Sequence, residues 1–365
     1  MTWTANKPYN ELPPVPPAVE IETRKVLKAT IEARSALSAL DQASQRIPNP
    51  TILINTLPLL EAQASSEVEN IVTTADDLFK FANDENAARS PETKETLRYR
   101  TALFRGMESI RSRPISTNTA IEVCSIIHSR EMPIRRLPGT YIGNPVTQAA
   151  IYTPPSGEAV IVDKMANWEK FIHSHGDLDP LVVMAIAHYQ FEAIHPFTDG
   201  NGRTGRILNI LLLIEAGLLR QPILYLSRFI IRNRAEYYRL LLDVTTSGTW
   251  EEWILFMLEG LRQTAESTVN KIDAISALQS TTTERVRGLT KGGANADLLA
   301  VLFEKPYCRI ADVMASCRVS RPTATSWLNA LVDAGVLTDI RVGRERLFVN
   351  VEFFQLLTRA EQPES

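Results

Sequence analysis

The sequence predicts a mainly α-helical protein with one short β-hairpin, ending in a small unit of three helices and two strands. Three observations lead there. Apolar residues recur at steps of three and four over most of residues 20 to 130, and helical patterns return after 180. LPGTYIGNP followed by AAIYTPP, residues 137 to 155, sets Gly, Pro, Asn and Tyr at hairpin spacing. Near the end, VLTDIRVGRERLFVN reads as two strands around Val342 and Gly343.

The elements follow in order. Prolines 13, 14, 16 and 17 block helix and favour an extended lead-in lying on the protein's own surface, although such a stretch could also fill an aromatic groove in a partner. VLKATIEARSALSAL, TADDLFKFAND and NTAIEVCSIIHSR are helical by period. Beyond the hairpin, Asp179 caps and Pro180 opens the helix LVVMAIAHYQFEAI. RILNILLLIEAG is a second buried helix, closed by Gly217. AEYYRLLLDVTT, WEEWILFMLEGLRQT and a long polar helix precede a flexible break, GLTKGGA, at 288 to 294. ADLLAVLFEK, RIADVMASC and RPTATSWLNALVDAG then lead into the two strands, the order of a winged helix. No internal repeat is visible.

At 365 residues the chain predicts two or three domains. A net charge of −3 gives no overall attraction to nucleic acid or anionic membrane. Cys124, Cys308 and Cys317 are too few and scattered for a disulfide framework or zinc cluster, which fits a reducing cytoplasm. The N-terminus lacks the basic start and apolar core of a signal peptide, and ILNILLLI at 207 to 214 is far short of a bilayer span.

The chemistry concentrates in HPFTDGNGRTGR, residues 195 to 206. A glycine-rich turn entering a helix presents unpaired N–H groups at the positive end of the helix dipole, an anion site. Gly200 and Gly202 admit a ligand close to the backbone, and Arg203 and Arg206 lie three apart on the first turn. Asp199 is a hard oxygen ligand placed to hold Mg²⁺ against phosphates, and His195 is suited to take a proton from a hydroxyl. A P-loop is disfavoured: the lysine and following Ser/Thr are missing, and a helix precedes where a strand should. His188, Glu192 and His195 could share a metal on one helical face, but without a fourth ligand His188 reads as a core histidine and Glu192 as its neighbour. His128, His173 and His175 show no pattern among polar surroundings.

The same twelve residues match the Fic family signature HPFx(D/E)GNGRxxR at every specified position, and the chain resembles larger bacterial members of that family. The resemblance implies a Fic-type helical core at 96–262, with the 137–155 hairpin as a target-docking flap. Around it would lie an N-terminal helical region at 1–95, a helical linker at 263–290 and a winged helix at 291–365. It implies AMP transfer from ATP, with Mg²⁺, to a Ser, Thr or Tyr hydroxyl of a protein, the chain itself included, and leaves a homodimer open. His195 would be the base and Asp199 the metal ligand. Gly200, Asn201 and Gly202 would cradle the α- and β-phosphates, Arg203 the β-phosphate end and Arg206 the γ-phosphate, with Thr204 and Gly205 in the same binding segment. Glycine at 202, where phosphotransferase relatives carry lysine, argues for adenylylation. Tyr238, rather than Tyr237, matches a position lining the base or ribose; Thr245 stands where one relative has Asn.

SSEVEN, residues 65 to 70, fits the family's inhibitory pattern (S/T)xxxE(G/N) through Ser65, Glu69 and Asn70. A carboxylate on Arg206 would occupy the γ-phosphate clamp, which also puts Glu69 at the ATP site. Alternatively, Ser66 and Glu69 form a helix-starting capping box with no function. The terminal unit holds seven Lys/Arg against six Asp/Glu over 295–350, thin support for DNA binding, although Arg341, Arg344 and Arg346 lie in the wing. Protein interaction or dimerisation is an equal expectation there. The alternative function is a DNA-binding regulator whose core senses nucleotide without turnover.

Overall fold

The computed structural model describes residues 3–47, 49–82, 84–143, 147, 149–289, 295–342 and 345–359. The wing turn expected at Gly343, Arg344, the hairpin residues 144–146 and 148, and 290–294 of the expected break lie outside them. Polar residues ahead of apolar runs start the first helices. Thr23 caps α1 (Arg24–Arg46), Thr74 caps α3 (Ala75–Phe81), Ser90 caps α4 (Pro91–Ile110) and Ser116 caps α5 (Thr117–His128), each side-chain oxygen accepting a first-turn N–H. Between α1 and α3 runs α2 (Thr51–Val68), most of whose residues are buried.

β1 (Ile142–Gly143) pairs antiparallel with β2 (Ala150–Tyr152), a hairpin shorter than its sequence pattern. After it come α6 (Glu158–His173), α7 (Pro180–Ile194) and α8 (Asn201–Glu215). α9 (Leu226–Arg232), α10 (Arg234–Ser247) and α11 (Trp250–Val286) follow. α7 is mostly apolar and nearly all of its residues are buried, so it forms the axis of the core. Trp168 and Trp253 pin it by donating indole N–H to the carbonyls of Ala187 and Ala185, at 3.0 and 2.8 Å. Fully burying such a large apolar side chain contributes about 1.5–3 kcal/mol, so this axis is a rigid base for whatever leaves its C-terminus.

α11 is one continuous helix of 37 residues, with α1 packed along it. The expected limits of the central core therefore fall inside helices: 95/96 within α4 and 262/263 within α11. The proline-rich lead-in lies on the protein's own surface, as expected. Asn167 holds both the N–H and the carbonyl of Val15, and Gln190 donates to the Pro13 carbonyl at 3.0 Å.

The terminal unit comprises α12 (Ala296–Glu304), β3 (Tyr307–Arg309), α13 (Ile310–Cys317), α14 (Arg321–Asp333), β4 (Thr338–Val342), β5 (Glu345–Val349) and α15 (Val351–Thr358). Its sheet has the order β3-β5-β4, one strand more than expected, because Tyr307–Arg309 is too short to show a period. The unit packs on the N-terminal helices. Tyr307 donates to the Asp76 carboxylate, Asn55 donates to Glu304 at 3.3 Å, and Phe354 meets Phe79 edge-on at 6.1 Å.

Candidate active site

The loop between α7 and α8 is shaped by its own residues. His195 ends α7 in the left-handed region, φ 51° and ψ 61°, turning the chain sharply out of the helix. Asn201 then laces the loop: its amide donates to the Phe197 carbonyl and accepts the Phe197 N–H, at 2.9 and 2.8 Å. Gly200 enters α8 at φ 78°. The Thr204 N–H finds the Gly200 carbonyl at 3.0 Å, which leaves the N–H groups of Asn201, Gly202 and Arg203 as the helix's unpaired first-turn donors. A Cβ on Gly200 would sit 2.4 Å from His128 Nε2, and one on Gly202 would sit 2.2 Å from Glu69 Oε1. The positive φ and the close imidazole both favour glycine at 200, whereas at 202 a side chain would have to displace the Glu69 carboxylate.

Glu69 faces this nest because of how α2 stops. Glu69 is the C-cap of α2, and Asn70 follows at φ 61°, a conformation that Gly or Asn adopts most readily. The Ile71 N–H returns to the Ser66 carbonyl at 3.0 Å. The capping-box alternative is thereby overturned: Ser66 lies inside the end of a helix, fully buried, and starts none. Arg206 is buried, and its Nε donates to Ser65 Oγ at 2.8 Å. Its Nη2 donates to the Ser65 carbonyl at 2.8 Å and to Glu69 Oε1 at 2.9 Å. Burial works against the guanidinium charge, but Glu69, joined by Tyr237, Glu192 and Tyr238, outweighs it and holds Arg206 firmly protonated.

Arg203 is equally buried. Its Nη1 bonds the Glu95 carboxylate from α4, and Nη2 lies 3.8 Å from Asp199 Oδ1. The Asp199 side chain is 64% exposed at the lip of the nest, where an incoming metal could reach it.

Burial, followed by the nearby Arg135 charge, pushes the His195 imidazole down to about 4, against opposing pulls from Glu69, the Glu192 main chain and Asp199. It is neutral at pH 7, as a general base must be. His188 is a core histidine: burial pushes it to about 3, and its Nε2 pairs with the Tyr237 hydroxyl at 2.8 Å. Glu192 is half-buried beneath the nest with its Oε1 enclosed and unpartnered, and desolvation pushes its carboxyl up to about 8. Tyr237 is buried, whereas Tyr238 is 40% exposed and stands edge-on to it at 5.2 Å, with the Arg234 guanidinium over its ring. Thr245 pairs with the Tyr189 hydroxyl at 2.9 Å.

Ser65, Glu69, Gly202 and Arg206 thus meet, and Asp199 meets Arg203. Thr204 and Gly205 are buried in the inward side of α8, and a Cβ on Gly205 would lie 2.7 Å from Glu192 Oε1, so that glycine serves α7–α8 packing. Glu95, Arg135 and Glu61 carry no local sequence signal. His128, which showed no pattern among polar neighbours, instead has a side chain only 8% exposed and packs under Gly200, because the polar end of α5 abuts α8. Glu61 is buried in α2, accepting from Tyr99, from the Ser227 N–H and from the Ser227 hydroxyl, which fastens α2 to α4 and α9.

Residues 115–213 match the Fic/DOC family. Residues 27–108 match its N-terminal region, and 278–353 match the C-terminal domain of SoFic-like protein adenylyltransferases. The chain belongs to the Fic/DOC family. A protein adenylyltransferase Fic of Drosophila virilis is 31% identical over 112 residues, covering 31% of this chain and 21% of that protein. Protein adenylyltransferase fic-1 of Caenorhabditis briggsae is 37% identical over 89 residues, covering 24% and 16%. The matched part therefore spans about a fifth or less of these relatives' length. Among solved structures, a Fic family protein of Desulfovibrio desulfuricans shares the fold with a TM-score of 0.55 at 20% identity, over 95% of this chain and 99% of that one. A Fic-1 fragment of Caenorhabditis elegans has a TM-score of 0.51 at 18% identity, over 70% and 75%.

The residues here would suit a metal held mainly by a bound nucleotide. Among the described residues no three His, Cys, Asp or Glu side chains cluster as a metal cage. A single exposed carboxylate, Asp199, beside an anion nest would fit Mg²⁺ brought in with phosphate oxygens.

Proposed function

We propose that this Fic/DOC protein transfers AMP from ATP to a hydroxyl of a protein, releasing pyrophosphate, and that Glu69 restrains the reaction. The observation that carries the proposal is a neutral imidazole, His195, with its Nδ1 buried, in the same short loop as the unpaired N–H groups of α8. Those donors and Arg203 would receive the phosphates, and Arg206 the γ-phosphate end. Tyr238, exposed beside the nest, would line the base or ribose. His195 would accept the proton of the attacking hydroxyl. Its oxygen would then bond the α-phosphorus as the bond to pyrophosphate breaks. Mg²⁺, held by Asp199 and phosphate oxygens, would supply charge neutralisation.

With Glu69 on Arg206, the γ-phosphate end cannot seat productively. The hairpin would present the target, a second protein or the chain itself. Among the described residues no helix is long and apolar enough to cross a membrane. DNA binding gains little support, since Arg346 is taken up by Asp339 at 2.7 Å and Asn329 at 2.8 Å.

The test is incubation of the Glu69→Gly protein and Mg²⁺ with ATP labelled at either the α or the γ position. Label on protein from α-labelled ATP is expected. Label from the γ position alone would make the chain a phosphotransferase and overturn the assignment based on Gly202.

A further inference from the structure

Arg135 lies in the segment between α5 and β1, 60 residues from His195 in sequence, and is 3% exposed. The Nε and Nη2 of its guanidinium bond main-chain carbonyls. Nε donates to the His195 carbonyl at 2.8 Å, and Nη2 donates to the Ile194 carbonyl at 3.3 Å and to the Pro155 carbonyl just past β2. Its own N–H donates to the Pro196 carbonyl at 2.9 Å. A second tie runs parallel, from the Tyr152 hydroxyl on β2 to the Ala193 carbonyl at 2.8 Å.

These acceptors are not ordinary helix-interior carbonyls. Ile194, His195 and Pro196 form the left-handed exit of α7, whose final carbonyls have no helical partner. The planar five-donor fork of arginine can satisfy several of them at once, which the point-like ammonium of lysine cannot do.

We propose that Arg135 is a positioning residue for group transfer, locking the hairpin that would present the target and the loop that carries His195 into one frame. The proposal rests on His195 acting as the base. A hydroxyl held on the hairpin then approaches an imidazole whose backbone is fixed by the same guanidinium. Misplacement on the scale of 1 Å costs about a hundredfold in rate, so the tie is worth a rate effect beyond stability. The Arg135 charge has a second consequence. It faces the imidazole along with Glu69, the Glu192 main chain and Asp199, and after burial it is the main influence keeping His195 neutral.

The test uses the full-length Glu69→Gly protein as parent, with Arg135→Lys and Arg135→Met added separately. Self-transfer of α-labelled AMP is followed against pH, and Mg-ATP affinity is measured alongside. A parent that transfers no AMP would refute the functional assignment before Arg135 is examined. With an active parent, both variants are expected to keep ATP affinity, because the nest belongs to α8, and to lose roughly ten- to a hundredfold in rate. The acid limb should stay in place for the lysine variant, which keeps the charge, and move from about 4 towards the ordinary 6.5 for the methionine variant. If the methionine variant does not fold, the lysine variant decides through rate against affinity. A folded lysine variant with the parental rate would overturn the proposal, as would a rate loss matched by lost ATP affinity, or an unmoved acid limb in a folded methionine variant.

Discussion

Glu69 Oε1 lies 2.9 Å from Arg206 Nη2, joining residues 137 apart in sequence, with the same carboxylate against the backbone of Gly202. One side chain thus covers both the arginine and the glycine of a phosphate nest. Its own exposure, 33%, leaves it open on the side from which a ligand would arrive.

Ser65 and Ser66 are expected to behave differently. Ser65 Oγ accepts from Arg206 Nε, so Ser65→Ala should loosen the guanidinium and raise AMP transfer a fewfold, in keeping with one hydrogen bond worth about 1 kcal/mol. Ser66 Oγ is buried without a partner, so Ser66→Ala should leave transfer at the wild-type level. Equal activation by both would mean that α2 had simply been destabilised, and thermal unfolding of each variant checks this.

Asn70 holds a left-handed φ at the stop of α2. Asn70→Gly should preserve both stability and restraint. Asn70→Val, which meets a steric cost of roughly 1–2 kcal/mol there, should lower the midpoint of thermal unfolding and partly release transfer. A valine variant with wild-type unfolding and transfer would show that the turn is not needed to aim Glu69.

His195→Ala, made in the Glu69→Gly protein, should abolish transfer while Mg-ATP still binds, since the nest N–H groups are backbone. Asp199→Ala should instead weaken the Mg²⁺ dependence of nucleotide affinity. Calorimetric titration separates the two, and an Asp199→Ala protein with an unchanged metal dependence would remove that ligand assignment.

Much of this site was legible because its residues are consecutive. The nest, His195, Asp199 and both arginines lie within twelve positions, and the pattern around Ser65, Glu69 and Asn70 carried its own left-handed stop. The α7 cap at Asp179 and Pro180 was equally local. What the sequence hid is long-range. Glu95, Arg135 and Glu61 are lone charges on helices or loops, indistinguishable by period from solvated ones until the fold sets them against partners 20 to 166 residues away. His128 looked exposed for the same reason. Short elements such as β3 and α9 offered too few residues to establish a period.

Burial of Glu192 gives stability a pH signature. Its carboxyl is raised from 4.5 to about 8, so the folded state keeps a proton that the unfolded state has released. That contribution is complete below 4.5 and is lost as pH rises through about 8. His188 and His195, pushed down to about 3 and 4, act in the opposite sense and cost stability as pH falls below 6.5. Glu192→Gln should therefore flatten the fall in unfolding midpoint between pH 6 and 8.5 while leaving the acid side unchanged. An equally steep alkaline fall in that variant would contradict the assignment.

The most direct measurement is the rate of AMP transfer from α-labelled ATP by wild type and by Glu69→Gly, side by side at equal Mg-ATP and with both proteins shown to be folded. A charged hydrogen bond is worth about 1.5–3 kcal/mol, so removing the carboxylate from Arg206 should raise transfer about ten- to a hundredfold. Equal rates from the two folded proteins would contradict the claim that Glu69 restrains this site.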